Sequence, residues 1–189
     1  MLTSKRFQLV LMAIIAFALS STANAAVIDF TGLGSGDSGA SILSVGDATF
    51  EITGGTVYIY EPGDFGGFTD NGGICAFSGG SCETDWTLTF DFAVTNVMFE
   101  SEFWNPTDVV AVTAFNGITS VGTIDVLADG SFGFGTTVLT SLSFDDSSTG
   151  AGFGFGDFKF DAAVPLPGTL SLLGLGFLGF ALGRRKGSA

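Results

Sequence analysis

The 189-residue sequence contains no histidine, and this absence removes several classes of chemistry. Without an imidazole, the Ser–His and Cys–His nucleophile arrangements of many hydrolases cannot form. Only two cysteines are present, so a zinc site built from cysteine and histidine ligands is disfavoured as well. The sequence also lacks a glycine-rich loop followed by Lys and Ser or Thr, so we expect no phosphate-binding loop. These absences predict a protein that is not an enzyme.

Positive charge is nearly absent from the middle of the chain. All 19 acidic residues lie between Asp29 and Asp161, and Lys159 is the single basic residue in that span. Residues 26–162 therefore carry a net charge of −18. Such a domain repels nucleic acid and anionic lipid, so we expect neither as its direct partner. The acidic residues either keep a protein rich in Phe and Gly soluble or attract divalent cations.

Three of the carboxylates are candidate ligands for a structural Ca²⁺. Asp145, Asp146 and Asp157 stand near the ends of predicted strands, and carboxylate oxygens are the ligands that Ca²⁺ prefers. No spacing in the sequence matches an EF-hand loop. Apart from this structural calcium, we expect no cofactor.

The first 25 residues have the pattern of a secretory signal peptide. A basic pair at 5–6 precedes an apolar run at 9–19, and a small-residue stretch ends in the cleavage-site residues Ala23 and Ala25. A basic start, a short apolar run and small residues at the cut are the three parts of such a signal. An uncleaved anchor helix is the alternative, for which the run is short. We expect the mature protein to begin at Ala26 or one residue later.

The middle of the chain alternates apolar and polar residues in short runs separated by Gly, Asp, Asn and Ser. Alternation of this kind without a sustained 3.6-residue period is typical of β-strands. We count eight to ten strands, which predicts an all-β fold, an antiparallel two-sheet sandwich that is jelly-roll-like. The predicted domains are a signal peptide at 1–25, an exported β-sandwich domain at 26–162 and a tail at 163–189.

The alternation also predicts details of individual strands. We expect turns at Pro62-Gly63-Asp64, at Asn96 and at Asn116-Gly117. In two of the strands, alternate residues should form a common face. In the first strand these residues are Trp86, Leu88, Phe90 and Phe92. In the second they are Val138, Thr140, Leu142 and Phe144. In the last strand, a bulge at Gly156-Asp157 would return Phe153, Phe155, Phe158 and Phe160 to one core face.

Cys75 and Cys82 are predicted to form a disulfide. Export places them in an oxidising compartment, and an even count at close spacing is typical of a structural bridge. The Gly79-Gly80 pair between them gives the loop freedom to close.

The exposed aromatic residues suggest a surface for sugar rings. Tyr58 and Tyr60 share one strand face, and Trp104 lies opposite the face of its neighbouring apolar residues. Such rings stack on flat apolar surfaces. The alternative is that all three cover a second core or a sheet edge.

Glu100 and Glu102 are the one carboxylate pair with a spacing relevant to catalysis. Two residues apart on a strand, they would lie about 7 Å apart on one face. This separation falls within the range of inverting glycosidases. A solvated strand face with alternating carboxylates is the favoured explanation.

The C-terminal tail has three parts. A proline-containing segment, Val164-Pro165-Leu166-Pro167, precedes an uncharged run at 169–183, and the basic residues Arg184, Arg185 and Lys186 follow. A helix of the uncharged run would reach about 22 Å, which is short of the roughly 30 Å hydrocarbon core. The basic end would stay on the cytoplasmic side, so the acidic domain would lie outside.

This tail resembles the PEP-CTERM sorting signal of Gram-negative bacteria that produce exopolysaccharide. The resemblance covers 164–186, although Leu166 departs from the commoner Val-Pro-Glu-Pro form. It implies that a membrane protease of the exosortase type cuts near Pro165-Leu166-Pro167. It also implies transient anchoring in the inner membrane and a final location at the cell surface or in the extracellular matrix. The same tail is known as the ice-binding protein C-terminal domain, a label that implies nothing about ice here.

Two alternatives remain for the tail. Leu166-Pro167-Gly168-Thr169 overlaps a Gram-positive sortase signal, but Leu170 stands where that signal needs Gly. The tail could also be a plain membrane anchor that is never cleaved.

The sequence leads to three functional hypotheses. The first is an exported, non-enzymatic surface or matrix protein that is sorted through its tail. The second is a carbohydrate-binding module for exopolysaccharide, and the third is a secreted glycan-active enzyme.

Overall fold

The computed structural model describes residues 25–68, 70–104, 107–147 and 153–163. In these ranges the chain forms twelve antiparallel strands and one turn of 3-10 helix at Asp64–Gly66. The strands are β1 Ala25–Val27, β2 Gly36–Asp37, β3 Ile42–Val45, β4 Ala48–Ile52, β5 Thr56–Tyr60, β6 Gly73–Phe77, β7 Trp86–Glu102, β8 Val110–Asn116, β9 Thr119–Val126, β10 Gly130–Gly135, β11 Leu139–Asp146 and β12 Gly154–Ala162. The described residues form one compact unit.

The long strand β7 joins two layers of strands. Its first half pairs with β4 on one side and with β11 on the other. β4 pairs in turn with β3, and β11 pairs with β8, which pairs with β9. Its second half pairs with β10 and β12, and β12 continues to β1 and to β6, β5 and β2. Because both halves belong to one strand, the twelve strands form a single hydrogen-bonded sheet.

The two layers pack against each other through buried aromatic rings. Trp86 and its cross-strand partner Phe144 are stacked, with ring centroids 3.7 Å apart and planes 9° from parallel. Across the core, Trp86 contacts Phe155 and Phe50 contacts Phe158, each with centroids 5.8 Å apart. Burying one such side chain contributes about 1.5–3 kcal/mol, and an aromatic pair adds about 0.5–1.5 kcal/mol. The rings therefore supply much of the free energy that holds the layers together.

At Asn96 the structure differs from the sequence prediction. Asn96 has a φ of 52° but lies inside the continuous strand β7, where the register with β12 shifts. The extra residue lets Val94 and Val97, three positions apart, both point to the core. The predicted turn is thus wrong, because Asn adopts a left-handed conformation in bulges as well as in turns. Phe92 is 39% exposed, although its ring still contacts that of the buried Phe160 with centroids 6.3 Å apart.

β11 contains a second irregularity that the alternation did not indicate. Its register with β7 shifts between Leu139 and Ser141, so Leu139, Leu142 and Phe144 are the buried residues. The predicted common face is therefore wrong for Val138, which is 41% exposed.

The predicted bulge in β12 is confirmed. Asp157 has a φ of 46°, and the register with β7 shifts between Gly156 and Lys159. All four rings that the bulge was predicted to realign are at most 3% exposed, and they are Phe153, Phe155, Phe158 and Phe160. The buried Asp157 carboxylate accepts hydrogen bonds from the backbone N–H of Asn71 at 2.7 Å and from its side-chain amide at 3.2 Å.

The predicted turns at the ends of β5 and β8 are also confirmed. Gly63 has a φ of 83° in the turn that follows β5. Asn116 pairs with Thr119, so Gly117 and Ile118 form a two-residue hairpin loop in which Gly117 has a φ of 62°.

The all-β antiparallel prediction is confirmed, but the two predicted sheets are continuous with each other because β7 belongs to both layers. The strand count is higher than the eight to ten predicted, because β1 and β2 are too short to be recognised by alternation. The predicted signal peptide and C-terminal helix lie outside the described residues. In the part of the chain that is described, no helix has the length and apolar character needed to cross a membrane.

Candidate aromatic binding cleft

β5 and β6 carry apolar residues on both faces. Val57 and Ile59 point into the main core, whereas Tyr58 and Tyr60 point to the opposite face of the sheet. On the neighbouring strand β6, Cys75 pairs with Tyr58 and lies on this outer face too. The alternation of β5 predicted that the two tyrosines share a face, and the structure confirms it.

The outer face is covered by rings that form a cleft of about 400 Å³. Its lining residues are Tyr58, Tyr60, Phe65, Phe77, Gly80, Ser81, Cys82 and Phe103. The centroids of Tyr58 and Tyr60 are 5.1 Å apart, as are those of Tyr60 and Phe103. A volume in the range of about 300–1,000 Å³ with an aromatic lining is typical of small-molecule sites.

Phe65 forms the outermost wall of the cleft and is 77% exposed. Its ring is nearly perpendicular to those of Tyr60 and Phe103, at 85° and 87°. The turn that presents it is held by Asp64, whose carboxylate accepts the backbone N–H of Glu61 at 2.8 Å. An aromatic ring exposed to this extent on a braced turn is available to a ligand.

Two phenylalanines that line the cleft and a third, Phe68, that packs beneath them against Tyr60 and Phe103 have strained backbones. Phe65, Phe68 and Phe103 have φ values of 52°, 43° and 66°, in a region that non-glycine residues rarely adopt. Each such conformation costs on the order of 1–3 kcal/mol and persists where the surrounding structure enforces it. Such strain clusters at functional sites, so its concentration around this cleft supports a binding role.

Two glycines of β12, Gly154 and Gly156, leave the space that the rings of Tyr60 and Phe68 occupy. A Cβ atom at Gly156 would lie 2.6 Å from the Phe68 ring, and one at Gly154 would lie 2.9 Å from the Tyr60 ring. β12 can therefore lie close to the rings of Phe68 and Tyr60 only because Gly154 and Gly156 have no side chains.

The predicted disulfide between Cys75 and Cys82 is present and forms the floor of the cleft. The Tyr60 hydroxyl lies 3.4 Å from the Cys82 sulfur and 3.6 Å from the Cys75 sulfur. Burial, together with nearby Tyr58, raises the pKa of Tyr60 to about 12. Tyr60 therefore keeps its proton above pH 10, where an ordinary tyrosine loses it, and its hydroxyl lies against the disulfide.

Four carboxylates adjoin lining residues of the cleft in the chain. Glu61, Asp64, Glu83 and Glu102 are each the chain neighbour of a lining residue. Lys159, the single basic residue of the 26–162 span, forms an ion pair with Asp70 at 3.2 Å. The cleft thus combines an apolar lining with a negatively charged surrounding.

Trp104 does not belong to this cleft. Its ring packs against Phe153 with centroids 5.5 Å apart, beside the main core. Of the three aromatic residues predicted to stack on sugars, the structure brings Tyr58 and Tyr60 together and places Trp104 elsewhere.

The three predicted calcium ligands are also separated. Asp145 and Asp146 end β11, where the backbone N–H of Asp146 donates to Asp85, whereas Asp157 is bonded to Asn71 in the bulge of β12. Among the described residues, no group of three or more His, Cys, Asp or Glu side chains is arranged to hold a metal ion. The structure thus does not assemble the predicted site.

Glu100 and Glu102 lie on one face of β7, as predicted. Burial, with the nearby carboxylate of Asp157, raises the pKa of Glu100, and burial with Asp129 raises the pKa of Glu102. A raised pKa suits a proton donor, but the aromatic cleft is lined by neither carboxylate. Apart from the raised pKa values, the geometry gives no reason to assign catalysis to Glu100 and Glu102.

Phe65, Phe77 and Phe103 were not predicted as site residues. Phe77 follows Cys75 by two positions on β6, so the alternation could have placed it beside the disulfide. Phe65 stands in a turn between glycines, Gly63 and Gly66, which is an uncommon place for a large apolar ring. Nothing in the sequence indicated Phe103.

The described part of the chain is thus an all-β domain with an aromatic cleft on its outer face. Beyond it, residues 163–186 match the family model of the PEP-CTERM protein-sorting motif. The chain therefore carries a PEP-CTERM sorting motif, which indicates an exported protein sorted through an exosortase in the membrane. No curated protein matches the sequence.

Solved structures with a similar backbone include two mutants of carbohydrate binding modules of family 29. They have TM-scores of 0.34 and 0.33 and sequence identities of 13% and 12%. The matches cover 77% and 74% of this chain, and 99% and 92% of the two modules. Likeness at this level carries no argument about the ligand of this chain.

The remaining predicted sites lie outside the described residues. These are the cleavage-site residue Ala23, the motif residues Val164, Pro165, Leu166 and Pro167, and the basic residues Arg184, Arg185 and Lys186. Ala25, the other cleavage-site residue, begins β1 and pairs with Asp161 of β12.

Proposed function

We propose that this protein is exported, processed at its C-terminal tail by an exosortase-type membrane protease and held at the cell surface or in the exopolysaccharide matrix. The match of residues 163–186 to the PEP-CTERM motif carries this proposal. The charge of −18 on residues 26–162 supports it, because such a surface stays soluble outside the cell. The role is non-enzymatic, in keeping with the lack of histidine.

The intact mass of the protein from its native cells tests this proposal. We expect a mature form that starts at Ala26 and ends between Val164 and Pro167. Deletion of the exosortase should abolish this form and leave the tail attached. An intact tail in both strains would make the protein a simple membrane-anchored domain.

The second candidate function is carbohydrate binding, and the aromatic cleft favours it. The rings of Tyr58, Tyr60, Phe65 and Phe103 form a concave surface on which the apolar C–H faces of sugars can pack. We infer that exopolysaccharide is the ligand that retains the protein in the matrix.

A glycan array with the mature protein from producing cells tests the second candidate. Phe65→Ala should abolish glycan signals and leave the fold intact, because Phe65 is 77% exposed. Ile118→Ala is the matched control, since Ile118 is 100% exposed in the β8–β9 loop. Equal signals for the two variants would place any binding outside the cleft, and turnover of a glycan that depends on Glu100 would favour the enzymatic hypothesis.

A further inference from the structure

We propose that the aromatic cleft binds a segment of glycan that carries no anionic groups, and that uronate-containing chains are rejected. This inference rests on the second candidate function above and defines the class of its ligand. The lining of the cleft, the charges around it and its rigidity each contribute to the argument.

The lining favours a pyranose ring. Tyr60 is buried in the wall of the cleft, and the ring of Phe65 stands nearly perpendicular to that of the half-buried Phe103. A sugar that packs on Phe103 would also contact Phe65, while its hydroxyl groups stay at the open side. This two-sided contact suits a ring with apolar faces and polar edges.

The charges around the cleft disfavour an anionic ligand. A carboxylate on the bound sugar would find no cationic partner in the domain beyond Lys159, since residues 26–162 contain no arginine and no other lysine. Lys159 is already paired with Asp70. In addition, Glu61, Asp64, Glu83 and Glu102 adjoin the lining in the chain and would repel the bound carboxylate.

The cleft is preorganised for its ligand. The disulfide between Cys75 and Cys82 fixes the floor, and the buried Tyr60 is held against both sulfurs. A rigid site binds without the entropic cost of ordering its side chains.

Matched oligosaccharides that differ at one carbon test the proposal. Hexamers of mannose, glucose and galactose are compared by isothermal titration calorimetry with the corresponding mannuronate, glucuronate and galacturonate hexamers, using the mature protein. Each pair has the same ring and linkage, and only the C6 group changes from CH2OH to carboxylate. We expect at least one neutral hexamer to bind at least tenfold more tightly than its uronate partner at 20 mM NaCl.

Two further results would support the electrostatic part of the proposal. Because salt screens surface charges, the difference between partners should narrow at 500 mM NaCl. A Glu83→Gln/Glu102→Gln double variant should bind the uronate hexamer more tightly than the wild type does. Phe65→Ala should weaken binding of the neutral hexamer at least tenfold, whereas Ile118→Ala should leave it unchanged. Near-ultraviolet circular dichroism checks that each variant is folded.

The possible failures are distinguishable. Equal or tighter binding of the uronate partner would overturn the ligand class and leave carbohydrate binding intact. Binding of none of the hexamers, together with an empty glycan array, would overturn both the inference and the second candidate function. Loss of neutral binding in Ile118→Ala but not in Phe65→Ala would show that the cleft is not the site.

Discussion

Tyr60 links the cleft, the disulfide and the ionisation behaviour of the domain. Its hydroxyl contacts both sulfurs, and its ring contacts those of Tyr58, Phe68 and Phe103. Burial raises its pKa from the ordinary value of 10.0 to about 12. One side chain therefore combines the packing and the electrostatics of the outer face.

The wild-type protein should lose stability at alkaline pH because of Tyr60, and Tyr60→Phe should remove this loss. Between pH 10 and pH 12 the unfolded tyrosine is deprotonated while the folded one keeps its proton, so the free energy of unfolding should fall by about 1 kcal/mol per pH unit. Urea denaturation at pH 9 and pH 11 measures this fall. Tyr58→Phe is the matched control and should retain most of this fall, because burial is the larger cause of the raised pKa of Tyr60. A wild-type decline that persists unchanged in Tyr60→Phe would contradict the assignment.

The residues of the cleft differ in how far the sequence could predict them. Alternation placed Tyr58 and Tyr60 on one face because a strand fixes side-chain direction by parity. Phe65 and Phe103 owe their positions to positive φ angles that tertiary contacts impose. No local pattern encodes such an angle at phenylalanine, so these two rings could not be predicted.

At the scale of the elements, the bulge in β12 shows when an irregularity can be read from sequence. Four phenylalanines with one interrupted spacing required a bulge at Gly156-Asp157, because otherwise two large rings would be exposed. In β7 and β11 no interrupted spacing of large aromatic residues indicated where the register shifts. Asn96 was compatible with a turn or a bulge, and Val138 and Leu139 were equally apolar choices for the core.

Gly156→Ala should destabilise the domain. The new Cβ would lie 2.4 Å from the Gly72 carbonyl oxygen and 2.6 Å from the Phe68 ring, so the backbone or the ring must shift. Overpacking of this kind costs about 1–3 kcal/mol. Gly122→Ala is the matched control, because its Cβ would meet only Phe134 at 3.8 Å. Denaturant midpoints that fall equally in both variants would count against the proposed close approach.

Removal of the disulfide should loosen the outer face of β5 and β6. Cys75→Ser/Cys82→Ser opens a loop with a sequence separation of 7, which corresponds to a loss of about 2–3 kcal/mol in the chain-entropy model. Urea denaturation of the double variant and the oxidised wild type measures the difference. Intact mass confirms that the wild type is oxidised, and equal midpoints would show that the bridge adds no stability.

At the scale of the whole molecule, charge opposes folding. Nineteen carboxylates and one lysine repel each other more strongly in the compact state than in the unfolded chain. Raising NaCl from 10 to 500 mM should therefore increase the melting temperature, since the screening length falls from about 30 Å to a few ångströms. A melting temperature that does not respond to NaCl would contradict this prediction.

The same measurement tests the calcium expectation. At matched ionic strength, 1 mM CaCl2 should have the same effect as NaCl if Asp145, Asp146 and Asp157 hold no ion. An additional rise in melting temperature that disappears with a chelator would show a specific site in the domain.

The position of β12 has a mechanical consequence. The sorting tail continues from the end of this strand, whereas the opposite end, at Gly154, abuts the cleft ring of Tyr60. If the processed C-terminus is held at the surface and a ligand is bound in the cleft, as proposed, the load between them would run along β12. Since β12 is paired with β7 on one side and with β1 and β6 on the other, its hydrogen bonds would be sheared together, which resists tension better than opening them one at a time.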